Sequence, residues 1–340
     1  MNGHEERYTR FALAREMMET AEVIRKLDVT GITGIGVQSR KAFLTGEGSS
    51  RIFPAKNVRW AGLRSAWPYT IMTEGGDQAL EYDLNGMSVF VASNSGRTAE
   101  AVRLLRKLKG QGHSDITGIT TSPGSPVASE TDRSYILTCG GEDAVAATKS
   151  VVEQALVYDL LFRSVSNVAL PDLSALAEAV NAAMTAEIPS EIIRRVAASP
   201  VIYFAGRNNG VAEELALKTN EITRKKSAYL EGSYAVHGIE EVMEPKEALV
   251  VIDPFEAEEE KFEEVLSRGV GLSIFAIASR ETRFPTLRIP EAGSGAENAG
   301  CLPYVQLAAG WNLLVETGLE LGIDLDKPER ARKVGNEIVE

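Results

Sequence analysis

Short apolar runs bounded by glycine or turn residues alternate along this chain with longer segments in which apolar residues recur every three or four positions. The short runs predict strands at 41–45, 87–92, 115–121 and 134–138, and again at 201–205, 248–253, 272–279 and 287–290. The longer segments predict helices at 12–27, 98–109, 148–162, 171–198 and 211–225. In 98–109, Val102, Leu105 and Leu108 share one face, Glu100 sits in the first turn, and Arg106, Lys107 and Lys109 precede Gly110, as the helix dipole and a C-cap favour. Met17, Ala21, Ile24 and Leu27 form a packing stripe on 12–27. Apolar strands alternating with amphipathic helices mean a parallel sheet covered by helices, so the fold class is α/β.

The second half repeats the plan of the first. Its first three strands lie about 160 residues beyond their counterparts, and the glycine that ends the opening strand moves from Gly46 to Gly206. A length of 340 residues suits two domains: 1–170 with the N-terminal helix, and 171–340 with the connecting helices and the C-terminal tail. No Gly/Ser-rich or Pro-rich linker separates them.

Composition acts mainly by exclusion. Apolar residues are 44% and charged residues 25%, the globular average. Lys plus Arg number 36 against 48 Asp plus Glu, and a net charge of −12 argues against a nucleic-acid surface. The chain lacks an apolar run of about 18 residues, so no membrane span is expected. Residues 1–10 do not resemble a secretory signal, and a cytoplasmic location follows as the expectation. Cys139 and Cys301 stand far apart, and His4, His113 and His237 are not at ligand spacing, so neither a disulfide framework nor a metal site is expected.

The candidate chemistry lies in two turns and one helix. Ser93-Asn94-Ser95-Gly96-Arg97-Thr98 joins the buried strand 87–92 to a helix start. Unpaired backbone N–H groups and the positive helix end converge there, and three hydroxyls add donors, which suits a phosphate monoester. A capping role alone needs one hydroxyl, not three. Gly46-Glu47-Gly48-Ser49-Ser50 is a second such turn. Arg51 stands where a dinucleotide fingerprint has its third glycine, and no Gly-Lys-Ser/Thr marks a P-loop. Parallel neighbouring strands would bring both turns to the carboxyl edge of one sheet. The corresponding place in the second half reads Asp253-Pro254-Phe255-Glu256-Ala257-Glu258-Glu259-Glu260, which repels phosphate, so only the first half is expected to keep a phosphate turn. On 211–225, Glu214, Lys218, Glu221 and Lys225 share one face beside Val211, Leu215 and Ile222; taken alone, the charges read as a ladder of solvated ion pairs.

The segment Ser93–Glu100 resembles the S-x-S-G-x-T-x-E signature of SIS (sugar isomerase) domains, and the turn 46–50 resembles that family's first phosphate-side turn. The tandem arrangement is most similar to the isomerase half of the glutamine:fructose-6-phosphate amidotransferases, with free-standing glucosamine-6-phosphate deaminases and deglycases as further relatives. The resemblance implies two tandem SIS domains, each a parallel five-stranded sheet in a flavodoxin-like three-layer sandwich. It also implies no cofactor and no metal, and no glutaminase domain is expected ahead of them.

Carried over by position, Ser49, Ser50, Ser93, Asn94, Ser95 and Thr98 would hold the sugar phosphate. The stretch 140–149, GGEDAVAATK, resembles the family's substrate-side loop and would contribute Val145, with Ala147 where the family has serine. Glu221 would be the base that moves a proton between C1 and C2, with Glu214 and Lys218 beside it. His237, followed here by Gly238-Ile239 where the family commonly reads H-G-P, would assist ring opening, often across a subunit interface, so a homodimer is expected. The tail Asp324-Leu325-Asp326-Lys327-Pro328 resembles the family's D-x-D-x-P, which makes Lys333 the amine that engages the open-chain carbonyl. The expected activity is aldose–ketose isomerisation of a hexose or amino-sugar 6-phosphate. A deaminase or deglycase on the same pocket, or a sugar-phosphate sensor without turnover, are the alternatives.

Overall fold

A computed structural model describes residues 1–333 and 336–338. Strands β1 (Lys41–Thr45), β2 (Thr70–Glu74), β3 (Ser88–Ala92), β4 (Ile116–Thr120) and β5 (Arg133–Ile136) form one sheet in the order β2-β1-β3-β4-β5. Strands β6 (Val201–Gly206), β7 (Lys226–Glu231), β8 (Ala248–Ile252), β9 (Ser273–Ala278) and β10 (Thr286–Arg288) form a second, in the order β10-β9-β8-β6-β7. Every neighbouring pair is parallel. Counted from β7, the second sheet repeats the connectivity of the first, and both follow the flavodoxin-like order with its reversal point between the first and third strands.

The chain divides into two units. The first-sheet unit holds residues 22–142, 147–171 and the tail from 332; the second-sheet unit holds 1–21, 143–146 and 172–331. This differs from a single cut near residue 170. The N-terminal segment goes with the second sheet because its polar groups are satisfied there: Tyr8 Oη donates to Glu316 Oε1 at 2.5 Å, and the first N–H groups of the helix Ala12–Arg25 donate to Asp326, from Ala12 at 2.7 Å and Leu13 at 2.9 Å. Asp326 thus caps a helix from more than 300 residues away, a contact of a kind worth about 1 kcal/mol.

In the first-sheet unit, one face of the sheet packs Phe43, Val89 and Val91 against Val102, Leu105 and Leu108 of the helix Ala99–Gly110. Phe90, from the same strand as Val89 and Val91 but on the other face, meets Tyr158 edge-on at 5.9 Å, a residue of the helix Lys149–Val165, which is buried from Lys149 to Arg163. In the second-sheet unit, Tyr203, Leu249, Val251 and Ile274 pack with Phe262 and Leu266, while the helices Val211–Thr223 and Leu302–Glu320 pack against each other. A Cβ at Gly310 would stand 2.4 Å from the Leu215 side chain, which is why that buried helix carries a glycine in its middle.

Two predicted helices are shorter than expected. The stretch 171–198 is two helices, Leu173–Thr185 and Ser190–Ala198, interrupted at Ala186 by extended backbone ahead of Pro189. The helix beginning at Val211 ends at Thr223, with Arg224 left-handed at φ 58°, so Lys225 leaves the charged stripe and donates to the Ser199 carbonyl instead.

Candidate functional site

Thr45 at the end of β1 pairs with Val91 near the end of β3, which sets the two glycine-containing turns side by side at the carboxyl edge of the first sheet. They touch: a Cβ on Gly46 would lie 2.8 Å from the carbonyl oxygens of both Ala92 and Ser50. Gly48 (φ +53°) and Gly96 (φ +67°) take the left-handed backbone that lets each turn fold back. Ser93 is buried, and its Oγ lies 2.8 Å from Thr98 Oγ1 while accepting from the Gly96 N–H at 3.0 Å. The Arg97 N–H reaches Ser95 Oγ at 3.2 Å. The turn therefore forms a compact set of hydroxyls and amides ahead of the helix Ala99–Gly110. Ser49 is buried and Ser50 half-buried in the neighbouring turn, where the Ser50 carbonyl accepts from Gln154 Nε2 at 2.5 Å.

The tail belongs to the same unit. Residues 336–338 run antiparallel to the turn: the Ala99 N–H donates to the Asn336 carbonyl and the Ile338 N–H to the Arg97 carbonyl, each at 3.0 Å. Lys333 Nζ stands 3.7 Å from Glu142 Oε2, with the lysine side chain 32% exposed and the glutamate side chain fully covered. Glu142 also accepts from Thr148 N–H at 2.7 Å, Ser150 Oγ at 2.5 Å and Asn94 Nδ2 at 3.1 Å. Burial pushes its carboxyl pKa up, but the Lys333 charge and the donors of residues 148 and 150 outweigh burial and hold it below its ordinary value. Sequence reasoning gave Glu142 no role: an acid after two glycines reads as a solvated loop charge. The only signal was its place in the stretch already singled out for Val145. Val145 itself lies in the segment 143–146 of the second-sheet unit, where the Asp143 and Ala144 N–H groups donate to the buried Glu16 carboxylate.

The stripe on the helix Val211–Thr223 is not a solvated ladder. Glu214 and Lys218 are buried, at 0% and 1% side-chain exposure, and only Glu221, at 23%, reaches solvent. Lys218 Nζ sits 2.7 Å from Glu221 Oε2 and 3.3 Å from Glu214 Oε1. Burial opposes the ammonium, and the two carboxylates overcome it, holding the Lys218 pKa above its ordinary value. The result is a locked cation with one carboxylate behind it and one in front. His237 follows the short turn Tyr234–Val236 and is exposed, with Gly238 beyond it at φ +110°.

At the reversal point of the second sheet the charged residues pair with one another. Arg207, after β6, forms an ion pair with Asp253 Oδ2 at 2.7 Å and stacks over Phe255 at 4.4 Å. The buried Glu259 pairs with Arg280 at 2.5 Å. Among the described residues no three His, Cys, Asp or Glu side chains form a group suited to a metal ion, and no helix is long and apolar enough to cross a membrane.

Against known proteins, residues 37–164 match the SIS domain family model. The chain is 28% identical to a glutamine–fructose-6-phosphate aminotransferase (isomerizing) of Shouchella clausii over 261 residues, which are 72% of this chain and 42% of that relative. It thus spans less than half the length of that relative. Among solved structures, a tagatose-6-phosphate ketose/aldose isomerase of Escherichia coli superposes with a TM-score of 0.76 at 16% identity, covering 95% of this chain and 98% of that one. A glucosamine-6-phosphate deaminase of Thermotoga maritima does so with 0.74 at 17%, covering 97% and 99%. These likenesses extend the fold over both sheets, and the sequence match fixes the family of the first: residues 37–164 are a SIS domain.

Proposed function

We propose that the chain is a sugar-phosphate isomerase that interconverts the aldose and ketose forms of a hexose or amino-sugar 6-phosphate. The observation that carries this reading is the buried Lys218 clamped between Glu214 and the partly open Glu221. A module that only bound the sugar would need the phosphate turn and not this arrangement.

In this reading the hydroxyls and amides of 93–98, with Ser49 and Ser50, bind the phosphate, so that binding energy at the unreactive end orients the carbons that react. Glu221 removes the proton from C2 of the open-chain aldose and returns it to C1 by way of an enediol, the reverse direction running through the same intermediate. Lys218 holds Glu221 in place, and its charge with that of Lys333 stabilises the developing enediolate. His237, exposed on its turn, moves protons during ring opening. We extend the proposal to a homodimer in which His237 serves a neighbouring subunit; full activity from a monomer in light scattering would refute that extension.

The test is deuterium exchange followed by NMR over a panel of hexose and hexosamine 6-phosphates, with ammonia measured alongside. Wild type is expected to exchange the C1 or C2 proton. Glu221→Gln, isosteric but not basic, is expected to lose exchange by at least about a thousandfold while inorganic phosphate still binds. Exchange at the wild-type rate in this variant would sink the assignment. Ammonia release would replace isomerisation by deamination, and binding without either signal would leave a sensor.

A further inference from the structure

Asn94 sits in the middle of the phosphate turn, yet its side-chain donors are already engaged. Nδ2 donates to Glu142 Oε2 at 3.1 Å and to Ser150 Oγ at 3.3 Å. The orientation of the amide is dictated by chemistry. An ionised carboxylate only accepts, so the Asn94 atom facing it must be the NH2 group. Ser150 Oγ gives its own proton to Glu142 at 2.5 Å and therefore meets Asn94 as an acceptor. The Asn94 backbone is pinned as well, its carbonyl accepting from Thr120 Oγ1 at 3.0 Å, Thr121 Oγ1 at 2.8 Å and Thr121 N–H at 3.1 Å. What remains is Oδ1, a buried oxygen with no hydrogen-bond partner.

We propose that Asn94 reads a hydroxyl of the sugar rather than its phosphate, and that Glu142 is the positioning residue that enforces this by holding the amide nitrogen away from the ligand. A phosphate oxygen presented to Oδ1 would set acceptor against acceptor, whereas a sugar hydroxyl donates to it and satisfies an atom otherwise left unpaired in a buried place. Glu142 is ionised for this purpose: its carboxyl is held below the ordinary range by Lys333 and by the donors of 148 and 150, despite burial. The same carboxylate lies 3.7 Å from Lys333, within ion-pair range and beyond that of a direct hydrogen bond. The identity of the ligand as a sugar phosphate rests on the function proposed above; the assignment of Asn94 to something other than phosphate does not.

Calorimetric titration of the full chain with inorganic phosphate and with hexose 6-phosphates tests the division of labour without turnover. Asn94→Ala is expected to leave inorganic phosphate affinity within about twofold and to weaken the best-bound hexose 6-phosphate about tenfold, the effect of one unpaired buried polar contact. Glu142→Gln, which lets the amide turn over, is expected to reproduce the sugar-specific loss with phosphate affinity kept or improved, and Glu142→Asp to restore part of it. A fall in inorganic phosphate affinity in Asn94→Ala equal to the fall for the sugar phosphate overturns the inference. So does an unchanged sugar preference in both Asn94→Ala and Glu142→Gln. Failure of wild type to bind any hexose phosphate overturns instead the functional reading, and the phosphate titration of Asn94→Ala still decides whether Asn94 contacts the anion.

Discussion

The two reversal points have the same topology and opposite chemistry. After β1 and β3 the chain presents Gly46, Gly48, Ser49, Ser50, Ser93, Ser95 and Gly96, small residues that bring hydroxyls and backbone amides together. After β6 and β8 it presents Arg207, Asp253 and Phe255, which bind one another through an ion pair at 2.7 Å and a stacked guanidinium at 4.4 Å. Where the first sheet is followed by the helix Ala99–Gly110, the second is followed by four α-helical residues, Glu259–Phe262, and a π-helix, Glu263–Val270. The lesson is that strand order supplies a place for a ligand, and a handful of side chains decide what chemistry it presents.

Four substitutions would break or sharpen this contrast. The largest effect is expected from Gly96→Ala. Its φ of +67° disfavours a side chain, and the new Cβ would stand 1.9 Å from Ser125 Oγ and 2.8 Å from Thr120 Oγ1. Phosphate binding should be lost and stability should fall by about 2 kcal/mol, read by titration and by denaturant midpoint; a variant with wild-type affinity would show that the turn is not the anion site. The middle effect compares Gly46 with Gly206, the residues after equivalent strand positions. At Gly46 a Cβ meets backbone oxygens at 2.8 Å, which cannot move without opening the turn, whereas at Gly206 it meets the Cβ atoms of Ala212 and Ile252 at 3.2 Å. Gly46→Ala should weaken inorganic phosphate at least about tenfold and Gly206→Ala should leave it unchanged; equal losses would mean that the second reversal point also binds. The smallest effect is expected from Arg207→Ala, which removes a partly exposed pair. It should cost about 0–1 kcal/mol in stability and nothing in phosphate affinity.

Interior strands were legible in the sequence, and so were two of the edge strands, β5 and β10. β1, β3, β4, β6, β8 and β9 are apolar and flanked by turns, so each was found within a residue or two. β2 and β7 escaped. TIMTE lies at the sheet edge with only one residue buried, and KSAYLE begins three residues after the helix before it, where a left-handed Arg224 replaces the expected glycine stop. Leu302–Glu320 also escaped, because it is apolar almost all round and carries glycines that read as breakers until Leu215 is seen packed on Gly310. At the site, the turns at 46–50 and 93–98 and the stripe at 214–221 were visible because hydroxyl and charge spacing survives in one dimension. Glu142 was not, since what makes it notable is the closeness of Asn94, Ser150 and Lys333, residues separated by 48, 8 and nearly 200 positions.

The division of the chain into interleaved segments has a consequence for synthesis and dissection. The turn at 93–98 gains its partner strand from 336–338, and the helix Ala12–Arg25 gains its cap from Asp326. During translation the first sheet emerges early but acquires this partner only after the whole second sheet has been made, while the start of the helix Ala12–Arg25 waits for more than 300 further residues to receive its cap. Neither half, cut at residue 171, retains all of its unit.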